Sequence, residues 1–327
     1  MNRFSSQMGP GRNTQVSKSR PGPPTQSLEV GVCFQRSLLG NAFRDLPPDA
    51  KAAVYALEVM KRVITAAVLI PLVLLLILKG SFLMVVLATA LVAELATWEY
   101  ASIADAHGSR LPRTLLLFGI AIVFAATFRS FSLILPAIGL CSLVLLLVCG
   151  FWSPLERFLP DTAFSLFGLI YCGLALATVP MVWIQPDGPS LVILLFCVVW
   201  TGDIAALYIG RNFGRHKLSP RISPNKTWEG TAASLAGSVL IAIALVALAP
   251  KIPGVLHYGA SLPYWVGLAV VLNVFAQAGD LVESAIKRGA GVKDSGAMLP
   301  GHGGILDRID ALLLAAPALW YAHWILH

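Results

Sequence analysis

The sequence predicts an all-α polytopic integral membrane protein, with about nine transmembrane helices and a polar cleft open to the cytoplasm. Three observations carry that expectation. Of 327 residues, 57% are hydrophobic and only 13% charged, whereas a soluble domain carries about a quarter charged residues. The mean hydropathy is +0.75, and apolar stretches of about 20 residues, enough to cross a hydrocarbon core, recur along the chain. The remaining charge is gathered into a few short segments between those stretches.

Taken in order, Met1 to Ala50 is rich in Ser, Pro, Gly, Gln and Arg and holds no sustained apolar period. Residues 1–59 are therefore expected to be a disordered basic cytoplasmic tail, lacking the apolar core of a signal peptide. A membrane domain is expected over 60–327, beginning at Met60-Lys61-Arg62 ahead of VITAAVLIPLVLLLIL. Spans are placed at 62–79, 81–100, 113–129, 131–150, 163–184, 190–208, 230–250, 264–284 and 308–326. Arg129 leaves the third little room, so a re-entrant segment is the alternative there.

Charge sets the orientation. Nine Lys or Arg lie at or before Arg62, which puts the N-terminus in the cytoplasm by the positive-inside rule. The loops after spans 2, 4, 6 and 8 then share that side. The loop after span 6 carries Arg211, Arg215, Lys217, Arg221 and Lys226, and the loop after span 8 carries Lys287, Arg288, Lys293 and Arg308. The opposite loops, such as QPDGPS, are charge-poor. The net charge of +7 fits contact with anionic lipid, or binding of a polyphosphate. Four of the five cysteines lie in apolar runs without metal-type spacing and read as small buried hydrophobes. The chain shows no internal repeat, which disfavours the commonest transporter architectures.

Four segments carry the chemistry. WTGDIAALYIGR places Asp203 within or at the end of a span, where a carboxylate is expensive and marks function; a snorkelling charge or a partner for Arg211 is the bland alternative. RISPNKTWEG offers turn chemistry, then Lys226 just ahead of a helix that Thr227 can start, an arrangement suited to an anion. QAGDLVESAIKR sets Asp280, Glu283, Ser284 and Lys287 at i, i+3, i+4 and i+7, hence on one helix face. Such a polar stripe must face the bundle interior or a water-filled cleft. GVKDSGAMLPGHGG has five glycines in fourteen residues, the backbone freedom a phosphate cradle needs. Lys293 and His302 add side-chain donors to it. Asp307 and Asp310 follow at i and i+3, hard oxygen ligands suited to Mg²⁺. At this level two classes stay open: a metal-dependent membrane enzyme acting on phosphates, and an ion-coupled carrier.

The stretch from Ser284 to Asp310, with KR, VKDSG, PGHGG and DRID in order, resembles the signature of the phosphatidate cytidylyltransferase (CDP-diacylglycerol synthase) family. SPNKTWEG and QAGDLVES are similar to its upstream motifs, and the resemblance covers the chain from about Met60 onward. It implies an enzyme of phospholipid biosynthesis that converts CTP and phosphatidic acid to CDP-diacylglycerol and pyrophosphate. It also implies Mg²⁺, alone or with a monovalent cation such as K⁺. Among site residues it implies Asp280, Asp307 and Asp310 as the metal centre, and Asp280, Lys287, Lys293 and Asp294 as the catalytic set. Lys226, Arg288, His302, Gly303, Gly304 and Asp203 would bind substrate. A homodimer in the cytoplasmic (inner) membrane, with its active site toward the cytoplasm and contacts to membrane lipids but not nucleic acid, completes the expectation. A CDP-archaeol synthase is the alternative enzyme. The sequence departs from the family where Thr-Gly-Ala-Tyr usually follows the first acid: here stand Ile204, Ala205, Ala206 and Leu207, with Tyr208 one step later. That step turns a helical side chain by about 100°. Ala311 stands where a serine often follows the last acid.

Overall fold

The computed structural model describes residues 60, 67–252, 256–296, 298 and 303–326. The expected tail 1–59 and His302 lie outside the described residues. Within them the chain is mostly helical, as its composition dictates. The helices are α1 (Ala67–Lys79), α2 (Phe82–Ala106), α3 (Arg113–Arg129), α4 (Ile134–Trp152), α5 (Leu155–Gly168), α6 (Ala175–Trp183), α7 (Gly188–Phe213), α8 (Trp228–Leu248), α9 (Leu262–Gly289) and α10 (Leu306–Leu326). A π-helical turn, Leu169–Leu174, joins α5 to α6, so that Leu155–Trp183 forms one rod.

Six of the described helical segments are long and apolar enough to cross a membrane: Phe82–Ala106, Phe131–Trp152, Leu155–Trp183, Gly188–Phe213, Trp228–Lys251 and Leu262–Gly289. The chain is thus a multi-pass membrane protein by length and composition. Large apolar side chains stand outward along these helices, including Leu135, Leu87, Leu240 and Val274. In lipid such faces cost nothing, and helix association relies on close packing and internal polar contacts. Accordingly the interior mixes Tyr100, Leu116, Leu194, Leu268 and Leu313 with buried Ser234, Ser238, Asn273 and Glu283.

One local element departs from the sequence reading. The segment after α7, expected as a turn, folds into an antiparallel hairpin of β1 (Lys217–Ser219) and β2 (Ser223–Thr227), with Lys217 opposite Thr227 and Ser219 opposite Ser223. Pro220 and Pro224 account for it, because the residue before a proline is driven into extended backbone. The hairpin ends on Thr227, whose hydroxyl accepts from Gly230 N at 3.2 Å and caps α8. Glu229 does not complete a capping box. It reaches back to His216 Nδ1 at 2.7 Å and so ties the hairpin's entry to its exit.

Candidate active site

The polar segments converge at the end of the bundle where α7, α8, α9 and α10 meet the hairpin and the loop after α9. Two neighbouring groups of charges result, and they are built differently.

The first surrounds the hairpin. β2 carries Lys226 to Asp280 of α9, with Nζ 2.5 Å from Oδ2. Both side chains stay partly open, at 25% and 34% exposure. Ser284, one turn on, donates to Asp280 Oδ1 at 3.3 Å, so the acid's second oxygen is also oriented. This pair lies in a cavity of about 540 Å³ that is also lined by Asp203, Arg211, Lys217 and Gln277. Asp310 joins the same electrostatic group: the charges of Asp280 and Asp203 both act on it, and Lys226 offsets Asp203. The closeness of α9 and α10 has a specific cause. A Cβ at Gly279 would lie 2.5 Å from the backbone oxygen of Asp310, so only glycine lets the acid-bearing turns of both helices meet.

The second group fixes the Gly-rich loop. Lys287, only 12% exposed, sits between Glu283 Oε2 at 2.5 Å and Asp307 Oδ1 at 2.6 Å. Asp307 also accepts from Ser295 N at 3.2 Å and Gly304 N at 3.1 Å. Glu99, from the distant helix α2 and 3% exposed, closes the arrangement. Its Oε1 accepts from Ile305 N at 3.0 Å, and its Oε2 accepts from Leu306 N and Ser295 Oγ, each at 2.9 Å. One carboxylate therefore holds both ends of the loop and caps the first turn of α10, where unpaired N–H groups favour a negative charge. The glycines of the loop make room for it: a Cβ at Gly296 would lie 2.6 Å from Glu99 Oε1, and one at Gly304 only 2.4 Å from Oε2. Gly303 takes the left-handed conformation, with φ of 81°.

The candidate residues are thus divided. Lys226, Asp280 and Asp203 are brought together at the cavity, and Asp310 lies near enough for Asp280 and Asp203 to act on it. Lys287 and Asp307 are brought together in the loop lattice, and Gly303 and Gly304 lead from the loop into α10. Arg288 braces the hairpin instead of projecting free: its Nε donates to Ile222 O and its Nη1 to Val292 O, both at 3.4 Å. Lys293 is exposed and Asp294 half-buried on the loop. Sequence reasoning missed Glu99. The signal was present, since an acid inside an apolar span is costly and needs a purpose, but its partners lie about 200 positions away in the chain.

Among the described residues no group of three His, Cys, Asp or Glu side chains is arranged to hold a metal ion by itself. The donor set still suits Mg²⁺, which takes one or two carboxylates and completes its shell with water and substrate phosphates. Asp280 and Asp310 supply hard oxygens in a group where Lys226 meets Asp280 and offsets Asp203, and Lys287 offsets Asp310. Asp307 fits less directly, because Lys287, Ser295 and Gly304 already engage both of its oxygens.

The chain is similar to proteins of known name. A protein from Brucella suis biovar 1 (strain 1330) named phosphatidate cytidylyltransferase is 44% identical over 158 residues, covering 47% of this chain and 54% of the relative. Proteins of the same name from Staphylococcus haemolyticus (strain JCSC1435) and Staphylococcus aureus (strain COL) are 41% and 38% identical over 161 and 159 residues, covering 49% of this chain and 58% of each relative. The chain spans little more than half the length of these curated relatives in the matched region. The profile described as the cytidylyltransferase family reaches further and matches residues 60–326. With its motifs assembled at one end of a membrane bundle, the chain belongs to the cytidylyltransferase family.

Proposed function

We propose that the protein is a phosphatidate cytidylyltransferase, which forms CDP-diacylglycerol and pyrophosphate from CTP and phosphatidic acid. The observation that carries this reading is the Lys226–Asp280 pair in a polar cavity, with Asp310 within the electrostatic reach of Asp280. Relatives named for this activity support it.

In this reaction an oxygen of the lipid phosphate forms a bond to the α-phosphorus of CTP. The bond from that phosphorus to the α,β-bridging oxygen breaks, and the oxygen leaves with its electron pair on pyrophosphate. A phosphate monoester, with a second pKa of about 6, is already mostly ionised near neutrality and needs no strong base. The barrier is the approach of two anions, so catalysis falls to positioning and to fixed positive charge. Lys226, Arg211 and Lys217 face the cavity and suit the triphosphate. Lys293 and Arg288, on and beside the loop, suit the lipid phosphate, with Gly303 and Gly304 shaping the same cradle and Asp294 ordering it; His302, outside the described residues, is assigned to substrate binding with them. Lys287 acts by holding Asp307 and the loop in place. Asp280 and Asp310 would hold Mg²⁺, with Asp307 able to join only by releasing a loop contact and K⁺ a candidate second ion; such a metal would supply charge neutralisation for the phosphates.

The same reading places nine spans in the cytoplasmic (inner) membrane, with the N-terminus, the loops after α7 and α9, and the cavity mouth facing the cytoplasm. The distribution of Lys and Arg supports that orientation. A homodimer and a dispensable tail over residues 1–59 belong to the same proposal. Purified protein given radiolabelled CTP, Mg²⁺ and phosphatidic acid is expected to form a lipid-soluble cytidine product. No product from phosphatidic acid, with an archaeal ether lipid accepted instead, would reassign the substrate; no product from either would overturn the reading.

A further inference from the structure

Starting about one helical turn from Asp280 along α9, a chain of amides and hydroxyls, half-buried at Gln277 and buried at Asn273, Ser234 and Ser238, links α7, α8 and α9. Its hydrogen bonds run in one direction, and that direction is forced. Ser238 Oγ donates its only hydrogen to Val198 O at 2.9 Å, so toward Asn273 it can only accept. Asn273 Nδ2 donates to it at 2.9 Å and to Ser234 Oγ at 2.8 Å. With its nitrogen so placed, Asn273 turns Oδ1 toward Gln277, whose Nε2 donates to it at 2.6 Å and to Thr231 O at 3.4 Å. Amide orientation normally has to be assigned from such a network, and here each step leaves one choice.

The chain ends on an atom that it fixes but does not use. Gln277 Oε1 carries no hydrogen bond among the described residues, and Gln277 lines the cavity beside Lys226, Asp280 and Asp203. Turning the amide over would set Oε1 against Asn273 Oδ1, two acceptors at contact distance. The cavity thus offers a hydrogen-bond acceptor that cannot become a donor. Gly202 shows how fully the lattice fills its space: a Cβ there would lie 2.8 Å from both Asn273 Nδ2 and Ser234 Oγ.

A locked acceptor near phosphate-binding cations recognises a donor on a phosphorylated ligand. At position 4 cytosine presents an amino donor, whereas uracil presents an oxygen that only accepts. At about 540 Å³, the cavity lies within the roughly 300–1,000 Å³ usual for small-ligand clefts. We propose that Gln277 is the specificity-determining residue of the site, accepting a hydrogen bond from the 4-amino group of the cytosine nucleotide and excluding the uridine nucleotide. This rests on the cytidylyltransferase reading and adds the atom that selects the base.

The test compares kcat/KM for CTP and UTP in the purified full chain with phosphatidic acid and Mg²⁺, for wild type, Gln277→Met and Ser238→Ala. Methionine keeps the length of the side chain and removes the acceptor. It is expected to lower the CTP-to-UTP ratio on the order of 10- to 100-fold, mainly through loss with CTP. Ser238→Ala releases Asn273, lets Gln277 turn over, and is expected to lower the ratio less, by raising use of UTP. An unchanged ratio in both variants overturns the proposal, whether activity is kept or falls equally for the two nucleotides, as a purely structural role would give. Should Gln277→Met fail to fold, Ser238→Ala decides, together with the protection that CTP and UTP each give against thermal unfolding. Wild type that makes no cytidine lipid overturns the functional reading itself; wild type that makes it, with the ratio unmoved in the variants, overturns only the role of Gln277.

Discussion

The two charged regions at the end of the bundle hold similar residues in opposite states. Around Glu99, Lys287 and Asp307, acids meet backbone N–H groups, a hydroxyl and a buried ammonium, and the loop's ends are fixed. Around Lys226, the lysine pairs with Asp280 while Asp203 and Asp310 lie near, the paired side chains are partly open, and a cavity that Arg211 and Lys217 also line lies alongside. A buried charge persists only when it is paired or hydrogen-bonded; Glu99, Lys287 and Asp307 are satisfied in this way, and buried Glu283 keeps its ion pair with Lys287 but no hydrogen bond at its other oxygen. The second has partly open charges of both signs and room beside it, which is what a site completed by ligands requires. The loop lattice is the frame, and the cavity is where the proposed substrates would meet.

Several changes would break or sharpen that division. The largest effect is expected from Asp310→Asn or Asp280→Asn. Each should lower turnover by roughly three orders of magnitude, the scale seen when one charge-stabilising group is removed, while thermal unfolding in detergent changes little. Wild-type turnover in both variants would remove these acids from the reaction. Glu99→Gln should reverse the balance. An amide cannot satisfy three donors as a carboxylate does, so stability should fall by about 1–3 kcal/mol, with turnover falling as the loop loosens. An unchanged melting temperature would show that Glu99 does not hold the frame. Lys226→Ala should act mainly on KM for CTP, by about tenfold, and weaken the dependence of KM on salt; an effect on stability alone would move Lys226 into the frame. Deleting residues 2–59 should change least, leaving kcat/KM nearly intact in correctly inserted protein.

The sequence made one kind of information legible and hid another. Apolar length located the helices, because a membrane imposes it residue by residue. The i, i+3, i+4, i+7 spacing put Asp280, Ser284 and Lys287 on one helix face, and local chemistry identified Thr227 as a cap. Which partner each charge takes was not legible, because partners come from other helices. Asp307 was expected beside Asp310 in a metal centre, yet it is drawn to Lys287 and the loop's N–H groups. Glu99 stayed unseen because its role exists only once α2 packs near the start of α10. The hairpin was missed for a different reason: Lys217–Thr227 has no alternating apolar pattern, and its extended form comes from two prolines and from closure of Trp228 N on His216 O at 2.9 Å.

The division between frame and site is tested most directly by following radiolabelled CTP into lipid with wild type, Asp280→Asn and Glu99→Gln, alongside the thermal unfolding of each. Wild type is expected to form a cytidine lipid with one pyrophosphate released per product. Asp280→Asn is expected to be stable and inactive, and Glu99→Gln destabilised and only partly active. A stable, fully active Asp280→Asn would contradict that division.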